Sequence, residues 1–395
     1  MSRVDDGSTP GRRSTLGSAM RALFDFSDEE SQPADPLADL PDFTSLNKPA
    51  AAPQAAAAPV APRRLRAHRA PPVLLGQTAG GPAHWAVSEQ ANPFLIVLGS
   101  SGAGKSELLR VVGWELHKHL PVVFVDVHGD LRLPGLRRLA LGPQLGINPL
   151  GAGADSGDAL RMALRAVAPQ LGHVQDELLG EALEHLAQQP RPSFGDLRSM
   201  LEHRSSAGPK KSAAAGLLAA LKSAFASPVF SAPPLDLAEL LRRGGTVDLV
   251  GLDRSVQAVA AGALLAQIFA ELRRLGPLAQ AGRLRCWVGL DEAAFLKESP
   301  FIGLIARESR KFGLGLAVAT QQARDLSATL TANAASAAVF ALQNSAEATQ
   351  SARLLPGIDA GVIQHLAPRG ECIFRDSSGL RRIQITPLKA REKNG

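Results

Sequence analysis

Residues 94–106 read Phe-Leu-Ile-Val-Leu-Gly-Ser-Ser-Gly-Ala-Gly-Lys-Ser. An unbroken apolar run as short as Phe94–Leu98 suits a strand buried on both faces. The next eight residues fit the spacing GxxxxGK[ST]. Glycines at 99, 102 and 104 let the backbone wrap so that successive N–H groups face one point, and a helix beginning near Ser106 adds its positive end. Phosphate groups are the ligand such a loop selects. Gly99, Ser100, Ser101, Gly102, Ala103, Gly104, Lys105 and Ser106 are therefore the candidate nucleotide-binding residues. Lys105 is placed to reach the β and γ phosphates, and the Ser106 hydroxyl to ligate Mg²⁺. ATP and Mg²⁺ are the expected cofactors. The helix is predicted over Ser106–His117.

Outward from this loop, short apolar runs alternate with helical patterns from about residue 72, which predicts an α/β fold with a largely parallel sheet. Strands are predicted at Phe94–Leu98, Val122–Val127, Thr246–Val250, Cys286–Leu290, Leu316–Ala319, Ala338–Leu342 and Cys372–Phe374. Between Gly151 and Leu241 the strand signal fades. Leu, Ala and charged residues recur there at helical spacing, as in Asp158–Ala168, Gln175–Gln188 and Phe194–Glu202. We expect a helical insertion at 151–241 within one domain spanning 71–390.

Residues 1–70 differ in kind. Ala and Pro make up almost all of Pro49–Pro62, and such a segment cannot bury enough apolar surface to offset its ordering entropy. A disordered tail is expected. Within it, Leu16, Met20, Leu23 and Phe24 fall at helix-like spacing in Ser14–Phe26, read either as a partner-binding helix or as a chance pattern.

The chain has 395 residues, 45% of them hydrophobic, and a formal charge of +6. That charge permits an anionic partner, nucleic acid first, without requiring one. Cys286 and Cys372 lie in apolar stretches without CxxC spacing and read as reduced core thiols. Asp5 and Asp6 and the lack of an early apolar stretch argue against a secretory signal. The apolar stretch Val256–Ala270 is followed at once by Glu271, Arg273 and Arg274, so it reads as a buried helix and not as a transmembrane segment. A cytoplasmic location is the expectation.

A second anchor is Cys286-Trp-Val-Gly-Leu-Asp-Glu-Ala293, an apolar run ending in adjacent carboxylates. Asp291 fits a holder of the Mg²⁺ shell. Glu292 fits a general base for a water beside the metal-bound γ-phosphate. The run Leu316-Ala-Val-Ala-Thr-Gln-Gln322 also ends in polar groups, and Gln321 is a candidate sensor of the γ-phosphate. For that role its strand must lie between those of the phosphate loop and Asp291. The bland alternative for Gln321 is a polar strand end bonded to its own loop. Upstream, Ile305-Ala-Arg-Glu-Ser-Arg-Lys-Phe-Gly313 is densely basic. Arg307 or Arg310 is a candidate arginine finger reaching a neighbouring subunit, a device worth roughly 10³–10⁵ in rate. A solvated basic face fits the same residues. Lys210 and Lys211 read either as pore-facing or as solvated loop cations.

Taken in order, these segments resemble the HerA/FtsK superfamily of P-loop ATPases, and its HerA-like branch in particular. The resemblance spans Val73 to Pro387. It is carried by Val73-Leu-Leu-Gly-Gln with His84-Trp-Ala-Val as a short β lead-in, and by Phe124-Val-Asp-Val-His-Gly-Asp-Leu131 followed by Ile147-Asn-Pro-Leu150. The basic segment through Ala319-Thr-Gln321 and the closing strand pair at Pro368-Arg-Gly-Glu-Cys-Ile-Phe374 complete it. The resemblance implies a RecA-like (ASCE) core, a homohexameric ring and ATP-driven movement of duplex DNA. It implies that Lys105, Ser106, Asp291, Glu292 and Gln321 take the roles given above, with Arg307 or Arg310 acting in trans. Asp126, His128 and Asp130 would shape the site. The N-terminal barrel, membrane region and winged helix of other members are not recognised in this sequence. A nuclease or other effector partner is therefore expected beside DNA. The alternatives are a coupling or energising ATPase of conjugation or type IV secretion, and a nucleotide-gated assembly protein with little turnover.

Overall fold

The computed structural model describes residues 65–153, 155–157, 159–161, 171–292 and 300–392. The tail to residue 64, including Ser14–Phe26, lies outside these residues, as do most of Asp158–Ala168 and Ala293.

The architecture is a single 11-stranded sheet with helices packed on it. Its strands are β1 (Val73–Thr78), β2 (Gly81–Trp85), β3 (Phe94–Leu98), β4 (Val122–Asp126), β5 (Arg138–Ala140), β6 (Gly245–Asp248), β7 (Cys286–Leu290), β8 (Leu314–Thr320), β9 (Ser336–Phe340), β10 (Glu371–Asp376) and β11 (Gly379–Ile385). The spatial order is β2-β1-β11-β10-β9-β3-β8-β7-β4-β6-β5. From β9 to β5 every pairing is parallel, whereas β10, β11, β1 and β2 join antiparallel. The central strands β3, β4, β7, β8 and β9 are buried along their whole length, as expected of strands covered on both faces.

Strand β8 lies between β3 and β7, with Leu98 level with Thr320 and Leu290 level with Val318. The sheet therefore has the RecA-like order anticipated for a sensor strand between the phosphate loop and the acidic strand. Chain reversals at the carboxyl ends of these strands put their following loops along one edge, where ligands of open α/β sheets bind.

Helix α1 (Lys105–Leu116) packs Leu108, Leu109, Val111, Val112 and Leu116 into the core. Gly113 lets it approach β4, for a Cβ there would stand 2.4 Å from the Phe124 ring. Helices α2 (His173–Ala187), α3 (Phe194–Ser206), α4 (Lys211–Ala220), α5 (Lys222–Ala226) and α6 (Leu237–Arg243) follow β5 in the chain. Ser193 and Asp196 form a reciprocal cap on α3, bonding each other's backbone N–H at 3.2 and 2.8 Å. Phe194 stacks against Phe225 and Phe230 with ring centroids 4.6 and 5.1 Å apart. Lys210 pairs with Glu181 at 2.6 Å and Glu177 at 3.1 Å, so it braces α2 and α4 instead of standing free in a loop.

Helix α7 (Arg254–Arg274) is long and apolar enough to cross a membrane, the one such helix among the described residues, but most of it is buried in this fold. Arg285 closes its end, donating to the carbonyls of Leu272 and Gly276 and to Phe312 at the end of α8 (Pro300–Phe312). After β8 come α9 (Ala328–Asn333), α10 (Ser345–Ala352), α11 (Ala360–Gln364) and α12 (Leu388–Glu392).

Candidate nucleotide site

The loop between β3 and α1 owes its shape to its glycines. Gly102 and Gly104 hold φ of 73° and 119°, values an L side chain rarely adopts. Gly99 answers a different need: a Cβ there would sit 2.6 Å from that of Phe340, so glycine lets β3 end close against β9. Two hydrogen bonds prop the loop from outside, Ser100 N–H to the Ala341 carbonyl at 3.1 Å and Gly370 N–H to the Ala103 carbonyl at 2.8 Å.

Lys105 is 8% exposed, and its ammonium donates to the carbonyls of Gly99 and Ser100, each at 3.0 Å. Burial holds its pKa below the usual lysine value, against the opposing pull of Asp291 and Glu292. Across the loop, the Ser106 hydroxyl donates to Asp291 Oδ2 at 2.6 Å. Burial raises the Asp291 pKa, while the Ser106 bond and the charges of Lys105 and His128 lower it.

These residues share a cavity of about 320 Å³ with Ser101, Gly102, His128, Asp130, Glu292, Thr320 and Gln321. Glu292 Oε2 lies 3.7 Å from His128 Nε2. The turn bearing His128 is fixed by Asp126, whose Oδ1 accepts from the N–H groups of His128, Gly129 and Asp130 and whose Oδ2 accepts from Leu131. Asp126 thus acts through the backbone, while His128 and Asp130 face the cavity. Thr320, which the sequence reading passed over, donates to Asp325 Oδ2 at 3.0 Å and fastens the turn that follows Gln321.

Arg307 and Arg310 stand apart. Helix α8 is tied to Asn92, two residues before β3: Asn92 donates to the Ala306 carbonyl at 2.7 Å and accepts from Ser309 Oγ at 3.3 Å. Both arginines are exposed near the sheet edge opposite the phosphate loop, and neither lines the cavity of its own chain.

The donor set fits a magnesium nucleotide. Ser106 and Asp291 bring two hard oxygens together, and Mg²⁺ takes few protein oxygens while keeping waters and phosphate oxygens. The Lys105 ammonium rests on loop carbonyls where phosphate oxygens would compete for it. A triphosphate beside Lys105 and a divalent cation beside Asp291 would each favour the charged form of the side chain.

No protein-family model matches the chain, and no curated protein matches its sequence. Solved structures do. VirB4 of Thermoanaerobacter pseudethanolicus is similar with a TM-score of 0.66 and 18% identity, over 81% of this chain and 98% of that one. The plasmid coupling protein TrwB in complex with ADP and Mg²⁺ is similar at 0.59 and 20% identity, over 84% and 96%. TrwB with a non-hydrolysable ATP analogue is similar at 0.57 and 20%, over 79% and 89%. At this identity the likeness concerns the fold alone: the chain has a RecA-like P-loop fold.

Proposed function

We propose that this chain hydrolyses ATP and couples turnover to mechanical work as the coupling or energising ATPase of a transfer apparatus of the conjugation or type IV secretion kind. The observation that carries hydrolysis is the convergence of Lys105, the Ser106–Asp291 pair and Glu292 on one cavity. The likeness to VirB4 and TrwB over nearly their full lengths supports the transfer role above that of a DNA pump allied to a nuclease.

Magnesium ATP supplies the reactive phosphoryl group and its electrophilic centre. In this reading Lys105 binds the phosphates, Ser106 and Asp291 orient the cation, and Glu292 positions a water and takes its proton. Gln321 touches the γ-phosphate and passes its state to the turn beyond β8. Work of this kind fits a homohexameric ring with the site at a subunit boundary, where Arg307 or Arg310 of the next copy would complete it. The DNA-pumping reading keeps support from the formal charge of +6, and duplex DNA is the cargo it names. We also read 71–390 as one ATPase domain with 151–241 as a helical insertion.

The test compares wild type with Glu292→Gln. The variant should bind a fluorescent ATP analogue like wild type while turnover falls about 10²–10⁴-fold, the usual scale for a general base. In a host carrying the apparatus it should abolish transfer. Unchanged turnover in the variant would instead favour a nucleotide-gated assembly role. Stimulation by duplex DNA across a salt series, with transfer intact, would favour the DNA pump, since phosphate contacts weaken steeply with salt.

A further inference from the structure

Beyond the turn that follows Gln321 lies a second cavity, of about 500 Å³. Arg324, Arg353 and Arg375 line it with Leu326, Leu354 and Gln350, and no acidic residue does so among the described residues. Three carboxylates close in the chain are turned to other partners, Asp376 to Arg381. Asp325 accepts from Thr320, and Glu347 accepts from the Ala323 N–H at 2.9 Å.

Arg375 is the telling residue. It projects from β10 and donates through Nη2 to the Ala334 carbonyl at 2.7 Å, but its Nε is buried with no hydrogen-bond partner among the described residues. Burial lowers its pKa. The residue is half-buried, and a buried guanidinium N–H without an acceptor costs stability that an anion facing it would relieve. The exposed side chain of Arg353 has no hydrogen bond or ion pair among the described residues, and that of Arg324 has a 2.8 Å bond from Nε to the side chain of Gln322.

We propose that this cavity is a docking site for a carboxylate-bearing segment of a protein partner, its acidic side chains bound by Arg324, Arg353 and Arg375 and its apolar flank seated on Leu326 and Leu354. Guanidinium forks match carboxylates bidentately. A duplex presents hydrated phosphates along a convex backbone, which favours a row of surface cations over a leucine-floored hollow. The wall formed by Ala323 and Arg324 is continuous with Gln321, so occupancy would also bias the nucleotide site. That coupling rests on the proposed ATPase reading, whereas docking itself does not.

The test uses the full chain and a fluorescein-labelled dodecapeptide of alternating Glu and Leu, with a Gln-for-Glu peptide and a labelled duplex as comparisons, all read by anisotropy. The exposed pair Arg324→Glu with Arg353→Glu should weaken the Glu peptide at least tenfold. The charge-matched control Arg191→Glu with Lys211→Glu should leave it within twofold. Arg375→Met, a change of similar length, should weaken it too, with thermal unfolding confirming the fold. Equal affinity for the Glu and Gln peptides would overturn the proposal, as would a double variant that binds like the control. Loss of duplex binding in the double variant with the Glu peptide unaffected would also overturn it and assign the cavity to nucleic acid. Because the readout is binding, an inactive ATPase and an unoccupied docking cavity give distinguishable results.

Discussion

Replacing Asp126 tests whether one buried carboxylate builds the floor of the nucleotide cavity. Asp126 is 1% exposed and accepts four backbone N–H bonds at 2.7–3.2 Å. In Asp126→Ala the N–H groups of His128, Gly129 and Asp130 can turn to water, because that stretch reaches the surface. The Leu131 N–H is buried and cannot. One stranded donor costs about 1–3 kcal/mol, and each charge-assisted bond exchanged for water loses a further fraction of its roughly 1.5–3 kcal/mol, so about 3–4 kcal/mol in all is expected. Asp126→Asn can keep the three bonds at Oδ1 but points an NH₂ at the Leu131 N–H, for a loss of about 1–2 kcal/mol. Urea unfolding followed by tryptophan emission suits the measurement. Trp287 packs edge-on against Phe124, two residues before Asp126, with centroids 5.9 Å apart. With a slope of roughly 3 kcal/mol/M for a domain this large, Asp126→Ala should shift the midpoint by about 1 M. A shift under about 0.3 M, or an asparagine variant as damaged as the alanine one, would refute the argument.

Three further outcomes follow from the packing. Gly113→Ala should destabilise by about 1–3 kcal/mol, the usual cost of overpacking, because its Cβ meets the Phe124 ring at 2.4 Å and Leu133 at 3.3 Å; thermal unfolding checks it. Arg391→Ala removes a largely buried guanidinium that binds Glu115 at 3.1 Å and the Leu75 carbonyl at 2.8 Å, and should cost about 2–3 kcal/mol in a denaturant series. Burial pushes the Cys286 thiol up to about 12 and raises that of Cys372 as well. Since the folded values exceed the unfolded one near 8.5, their contribution to stability is whole below about pH 8.5 and falls as pH rises toward the folded values. Thiol titration of native protein at pH 8 should find neither cysteine reactive, and both should react in urea.

The parallel half of the sheet was legible because its strands are continuous apolar runs. Phe94–Leu98 and Cys286–Leu290 have the predicted bounds, and the others differ by a few residues at their ends. β5 and β11 escaped a reading from hydropathy, since Arg138–Ala140 and Gly379–Ile385 carry exposed arginines and bury only alternate or few residues. β11 pairs with β1 at the other end of the domain, a contact no local pattern encodes. In the candidate site, the residue types singled out Lys105, Ser106, Asp291 and Glu292, which line one cavity, but the sequence held nothing of the 2.6 Å bond joining Ser106 to Asp291. Closeness in sequence also misleads. Arg310 and Gln321 look adjacent, yet β8 runs between them for its full length, roughly 20 Å at 3.3 Å per residue. Lys210 looked like a loop cation because its carboxylate partners lie a helix away.

The position of β3 sets an order of events during synthesis. This strand leaves the ribosome early, but both of its neighbours come from Leu314–Phe340, and the propping contact at Ala103 comes from Gly370. Contacts so distant along the chain form slowly and leave apolar edges uncovered in the meantime. A nascent chain stopped before residue 314 would therefore carry the entire glycine loop and still be unable to retain nucleotide. Competence to bind would arrive as one late step, with about the last fifth of the polypeptide.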